Sequence, residues 1–142
     1  MEYQNQFRVF FAAKSQNESL ARVMTAAFLS QHDPTLSEIT DIKTAVSEAV
    51  TNAIIHGYEE KDGEVELFCG YKDGRVYIEV ADQGMGIIDV TQAREPLYTS
   101  KPELERSGMG FTIMETFMEG VHIESKEGEG TRIYMEKTLT TE

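Results

Sequence analysis

Glu48, Asn52 and His56 recur every four residues in the run Ser47-Glu48-Ala49-Val50-Thr51-Asn52-Ala53-Ile54-Ile55-His56-Gly57. On an α-helix that spacing turns each side chain by ~40° from the last, so the three form one stripe. The stripe borders the apolar positions Val46, Ala49, Val50 and Ala53, at the rim of a surface expected to be buried. A carboxylate and an amide oxygen aligned there are hard ligands suited to Mg²⁺, which takes oxygen donors and keeps several waters. Taken alone, a polar stripe on a helix is more commonly a solvated face. His56, at the helix end, is more commonly a packed or capping histidine and is assigned no chemistry.

Two glycine motifs follow. Asp82-Gln83-Gly84-Met85-Gly86 comes directly after a strand-like run. Glycines one residue apart let the backbone turn sharply and approach a ligand, and an aspartate at the strand end can accept from an exocyclic amine such as adenine's. Glu105-Arg106-Ser107-Gly108-Met109-Gly110-Phe111 precedes a helical pattern. The free N–H groups and positive dipole end of a helix start favour phosphate, and Arg106 adds a guanidinium able to bond phosphate oxygens in pairs. Each motif alone is also a common turn or helix start. Neither glycine pair completes G-x-G-x-x-G, and no G-x-x-x-x-G-K-[ST] occurs, so dinucleotide-binding and P-loop readings fail.

The elements that must position these groups show as periodicities. Phe7, Val9 and Phe11 alternate as in a first strand. Ser15 with Glu18 reads as a capping box, and behind it Leu20, Val23, Met24, Ala27 and Phe28 trace one apolar helix face, with Arg22 opposite. Thr35 with Glu38 is a second box, opening the helix that carries Glu48 and Asn52 and stops at Gly57. Val65, Leu67, Cys69 and Tyr71, then Asp73-Gly74, then Val76, Ile78 and Val80 predict a hairpin. Residues 89 to 107 read as mostly irregular, since Pro96 and Pro102 oppose a helix there. Phe111, Met114, Phe117 and Met118 predict a third long helix ended by Gly120, before a closing hairpin over Val121–Lys126 and Thr131–Thr138. Strand–helix–strand crossovers are too few for a doubly wound sheet. The expected class is an α+β two-layer sandwich: one mixed, mostly antiparallel sheet with helices on one face, in one domain over 1–142.

The net charge of −12 opposes non-specific binding to nucleic acid or anionic membranes. Cys69 is the only cysteine, which excludes an internal disulfide or a cysteine-based zinc site. No apolar run approaches the ~20 residues that span a bilayer, and the polar start Met1-Glu2-Tyr3-Gln4-Asn5 is no signal peptide. A cytoplasmic protein is expected, in which the Asn17-Glu18-Ser19 sequon goes unused. The seven methionines, Met109 and Met114 among them, read as core filler.

Together and in this order, the three motifs resemble the GHKL ATPase/kinase superfamily and its Bergerat ATP-binding fold. Glu48-(x)3-Asn52 with His56 and Gly57 looks like its N box, and Asp82-x-Gly84-x-Gly86 and Gly108-x-Gly110 like its two glycine boxes. Gly130-Thr131 matches the terminal Gly-Thr of that pattern. Within the superfamily, Ser47 to Tyr58 and Lys101 to Glu115 are similar to the anti-sigma F type, serine-protein kinases of endospore formers. The sibling anti-sigma B type is less close in the second glycine box.

The resemblance implies ATP and Mg²⁺ as cofactors. Asn52 would hold the metal, Asp82 would meet the adenine amine, Gly84 and Gly86 would shape the base pocket, and Thr131 would support the base. Gly108, Met109 and Gly110 would wrap the phosphates, with Arg106 on the γ-phosphate, and Lys101 would lie in the lid segment Thr99-Ser100-Lys101-Pro102. Glu48 would be the general base toward a protein serine. Arg22 would contact a sigma factor, although a solvated arginine is the ordinary case. The implied partners are a sigma factor of the F type, an anti-anti-sigma substrate and a second copy of the chain, with no direct nucleic-acid or membrane contact. A histidine-kinase catalytic domain is disfavoured by the lack of a phosphoacceptor helical domain, and a gyrase- or Hsp90-like ATPase by the lack of downstream domains. An ATP-binding regulatory module without phosphotransfer is disfavoured only by Glu48.

Overall fold

The computed structural model describes residues 1–57, 62–84, 110–126 and 128–140. Five strands, β1 (Asn5–Ala12), β2 (Glu64–Lys72), β3 (Arg75–Asp82), β4 (Gly120–Lys126) and β5 (Gly130–Thr138), make one sheet in the order β1-β2-β3-β5-β4. Every neighbouring pair is antiparallel. The β2–β3 turn has positive φ at both Asp73 and Gly74, 48° and 80°, the primed geometry whose twist matches its strands. Helices α1 (Gln16–Leu29), α2 (Leu36–Asn52) and α3 (Gly110–Phe117) lie against one face, with α2 packed between α1 and α3. The architecture is the α+β sandwich expected from the sequence.

Two periods meet in the core. Alternate residues Val65, Leu67 and Cys69 of β2, Val76, Ile78 and Val80 of β3, and Ile133 and Met135 of β5 point to the helices. They close one cluster with Phe28 of α1, Val46, Ala49 and Val50 of α2, and Phe111 and Met114 of α3. Burial pushes the Cys69 thiol up to about 12, a hydrogen bond with Thr25 opposing it only weakly, so this cysteine is a core residue and no nucleophile. On the opposite sheet face, Glu66 pairs with Arg8 and Arg132, and Arg132 reaches Glu79 at 2.8 Å, covering four strands with compensated charge.

Helix α1 departs from its expected form in two ways. Ser15 makes no side-chain cap, since its own backbone is already helical, at φ −54° and ψ −37°, and Glu18 turns elsewhere: it accepts from Ser47 Oγ of α2 at 2.8 Å and pairs with Arg22, one turn along α1, at 2.9 Å. The buried stripe is Ala21, Thr25, Phe28 and Leu29, whereas Leu20 and Val23 are 45% and 65% exposed. Ala27 is exposed as well. The apolar positions of α1 thus fall on two sides of the helix.

Helix α2 starts as its sequence implies. Thr35 Oγ1 accepts from the Glu38 N–H at 3.0 Å, and Glu38 Oε1 accepts from the Thr35 N–H at 2.8 Å. The other Glu38 oxygen accepts from the main-chain N–H and hydroxyl of Thr140, at 2.6 and 2.8 Å, tying the chain end to the helix start. Burial acts to raise the Glu38 pKa, but these four hydrogen bonds outweigh it and hold it below the ordinary 4.5. A lowered folded-state value means stability present above that ordinary value and lost as pH falls below it. Glu38→Gln puts an N–H₂ against donors, so we expect a loss of about 1–3 kcal/mol at pH 7. Urea melts of both proteins at pH 7 and pH 4 check this, and the gap between them should narrow at the acid end.

Candidate functional site

Helix α2 carries the polar stripe. Glu48 and Asn52 are both half-buried one turn apart, beside the fully buried Ala49 and Val50. The helix ends at Asn52, and Ala53–Gly57 continues as a π-helical turn, so the four-residue step does not run through to His56. Wide turns of this kind are frequent at functional sites.

Asp82 is the last residue of β3 and only 5% exposed, on the face turned to the helices. Its Oδ1 accepts from the Gly84 N–H at 2.8 Å, turning Gly84 back on the strand end. Burial pushes the carboxyl up to about 6, against the pull of hydrogen bonds from the Gly84 and Thr131 main chain. In the β3–β5 register Asp82 pairs directly with buried Thr131. Gly130, before it, has φ +94°, and a Cβ there would sit 2.2 Å from the Asp82 carbonyl oxygen. The terminal Gly-Thr therefore has a steric cause: only glycine lets β5 approach Asp82 so closely.

An open cavity of about 320 Å³ at this end of the sheet is lined by Asp82, Ser125 and Thr131 among others, a size at the low end for ligand pockets. The donor set fits a purine and a magnesium nucleotide. A buried carboxylate that is costly to ionise favours a hydrogen-donating ligand, as an exocyclic amine is. Among the described residues no three His, Cys, Asp or Glu side chains cluster to hold a metal. A single amide oxygen such as that of Asn52 is consistent with Mg²⁺ held mainly by phosphates and water.

The chain matches the histidine kinase-like ATPase domain family over residues 11–137. It is 57% identical over 139 residues to the anti-sigma F factor of Clostridium kluyveri, covering 98% of both chains. The anti-sigma F factor of Clostridium novyi is 60% identical over 136 residues, 95% of each. The chain belongs to the anti-sigma F factor family. The RsbU and RsbW domains of a Mycobacterium tuberculosis protein share its fold with a TM-score of 0.71 at 20% identity, covering 98% of this chain and 34% of that one. The catalytic domain of the histidine kinase ThkA does so with a TM-score of 0.57 at 17% identity, covering 98% and 97%.

Of the residues that the anti-sigma F resemblance singles out, the structure brings Asp82, Gly84 and Thr131 together at one sheet end. It sets Glu48 and Asn52 on α2, and Gly110 at the start of α3, the helix packed on α2. Arg22 is held on α1 by Glu18 and by Ser19 Oγ at 3.1 Å. Gly86, Lys101, Arg106, Gly108 and Met109, with the lid segment and the irregular stretch 89 to 107, lie outside the described residues. Ser125 lines the same cavity and was not among the residues expected from the sequence. Its hydroxyl lies 2.8 Å from Thr131 Oγ1, a contact set by the β4–β5 register and by no motif spacing.

Proposed function

We propose that this chain is an ATP-dependent protein serine kinase that also acts as an anti-sigma factor. It would bind and inhibit a sigma factor of the F type and phosphorylate a serine of an anti-anti-sigma antagonist. The observation that carries the nucleotide reading is the buried Asp82–Thr131 pair, which faces the helix holding Glu48 and Asn52 and asks for a hydrogen-donating base. The near full-length identity to proteins named anti-sigma F factor supports the partner class. No helix among the described residues is long and apolar enough to cross a membrane, and a lone buried thiol fits a cytoplasmic location.

In this reading MgATP supplies the phosphoryl group and Mg²⁺ offsets its charge. Asp82 and Gly84 orient the base, Asn52 gives a neutral oxygen to the metal, and Glu48 accepts the proton of the attacking serine hydroxyl. Lys101, Arg106, Gly108, Met109 and Gly110 would hold the phosphates. The exposed apolar stripe Leu20, Val23 and Ala27 offers the sigma factor a docking face on α1, the helix that also carries Arg22. Edge strand β1, with Phe10 55% exposed, is open to a second copy.

Incubating the chain with γ-labelled ATP, Mg²⁺ and candidate antagonists tests the kinase half, and label on an antagonist serine is expected. Sigma-factor binding with no label transfer would leave an ATP-gated binding module instead. In the same assay Asn52→Ala should weaken MgATP binding by about tenfold or more, a loss seen even for groups one shell further from a metal. The residual binding should be indifferent to Mg²⁺. Parental affinity in that variant overturns the metal assignment.

A further inference from the structure

Among the described strand residues, Lys137 is the one Lys or Arg whose place in the alternation faces the helices. It follows Ile133 and Met135 on the inward side of β5, and its side chain is only 18% exposed. A lysine held so far from water needs partners for its ammonium. Its Nζ donates to the Phe117 carbonyl oxygen at 2.8 Å and lies 3.9 Å from Asp41 Oδ2. Phe117 ends α3, where the carbonyls have no intrahelical N–H left to meet. Asp41 belongs to the second turn of α2. One ammonium thus joins β5, the end of α3 and α2.

In the β3–β5 register Lys137 pairs with Val76 and Thr131 with Asp82, so roughly 20 Å of strand separates the ammonium from the candidate site. It is too far away to touch a nucleotide there. Helix α3 covers much of that distance, starting at Gly110 and ending two turns, ~12 Å, later at Lys137. A helix this short is marginal by itself. Phe111 and Met114 bury one side of it, a non-directional contact that resists lifting off more than sliding or fraying. The bond from Lys137 is directional and fixes the far end.

We propose that Lys137 is a positioning residue for the triphosphate. By holding the end of α3 against α2 and β5, it sets where the start of α3 stands relative to Asn52. It thereby sets the fraction of free protein ready to receive phosphates. The inference rests on the reading that phosphates meet the start of α3, and deepens it by naming what holds that helix in place.

Calorimetric titration with MgATP and with adenosine, beside urea melts that report the folded fraction, tests this. Lys137→Met keeps the apolar stem and removes the ammonium. With α3 docked about a tenth of the time, MgATP affinity falls about tenfold, while adenosine, which needs only the Asp82 end, stays within about twofold. In Lys137→Arg the guanidinium can donate to the same two oxygens, and MgATP affinity is expected within about threefold of the parent. Asp41→Asn separates position from charge. Removing an acid should strengthen the binding of a polyanion if only the field matters, whereas a loosened Lys137 lowers MgATP affinity about threefold. An unchanged ratio of MgATP to adenosine affinity in Lys137→Met, or an equal fall for both ligands, overturns the proposal. Where Lys137→Met does not fold, a parental or raised ratio in Asp41→Asn overturns it. A parent that binds adenosine as tightly as MgATP would instead remove the phosphates from α3, and with them the underlying reading.

Discussion

Replacing Glu48 by glutamine is expected to slow phosphoryl transfer to the antagonist serine by about a hundredfold, the low end of the range for a positioned general base. Glutamine keeps the shape and hydrogen-bonding reach of the side chain while removing its basicity. The low end is expected because phosphoryl transfer passes through a loose transition state, in which the nucleophile has lost little of its proton. Glu48 is half-buried on α2, a turn before Asn52, so the substitution exposes no core surface and leaves the magnesium position alone. Nucleotide affinity should therefore stay within about twofold of the parent, the difference that separates lost chemistry from lost binding. Single-turnover transfer rates beside calorimetric MgATP affinities check both halves. Transfer at the parental rate would move the base to another residue or leave the reaction without one.

How far the sequence reached depended on whether a signal was local. Thr35 and Glu38 satisfy each other within one helical turn, and that box is present in full. Ser15 and Glu18 have the same spacing, but Ser15 is already helical and Glu18 pairs with Arg22 one turn on and with Ser47 of another helix, the second of which spacing within α1 cannot reveal. The apolar positions of α1 satisfied a helical period, yet Leu20, Val23 and Ala27 lie away from the core. Periodicity gives the angle between side chains and leaves open which angle faces the sheet. At the site, Asp82 was legible as an acidic residue at a strand end before two glycines, and Gly130-Thr131 only through the resemblance, since the steric need for glycine there comes from strand pairing that local sequence does not show. Ser125 was not, since its place in the cavity comes from pairing across β4 and β5 and serine in a strand carries no spacing signal.

The opposed demands on Asp82 give the second large effect. Its carboxyl is 5% exposed, and burial pushes its pKa from the ordinary 3.8 to about 6, the Gly84 and Thr131 main-chain bonds limiting the rise. A raised folded-state value means that folding favours the neutral acid. The stability it contributes is complete below 3.8 and is lost as pH rises through about 6. A displacement of about two units corresponds to about 3 kcal/mol withdrawn from the free protein at neutral pH. A base whose amine donates to the ionised carboxylate restores part of that energy, so ATP affinity should climb as pH rises through about 6 and level off above it. Asp82→Asn removes the charge and offers an N–H₂ where the amine must donate. Its ATP affinity is expected to fall about a hundredfold, the loss of a charge-assisted hydrogen bond of about 3 kcal/mol. The free variant should be more stable than the parent at pH 7 and equal to it near pH 4. Urea melts from pH 4 to 7.5, with and without MgATP, measure both trends, and subtracting the variant from the parent cancels groups such as Glu38 whose shift has the opposite sign. Parallel pH profiles for parent and Asp82→Asn would show that the carboxyl stays ionised throughout. The strand end would then be a structural turn, with no energy held there for a ligand to release.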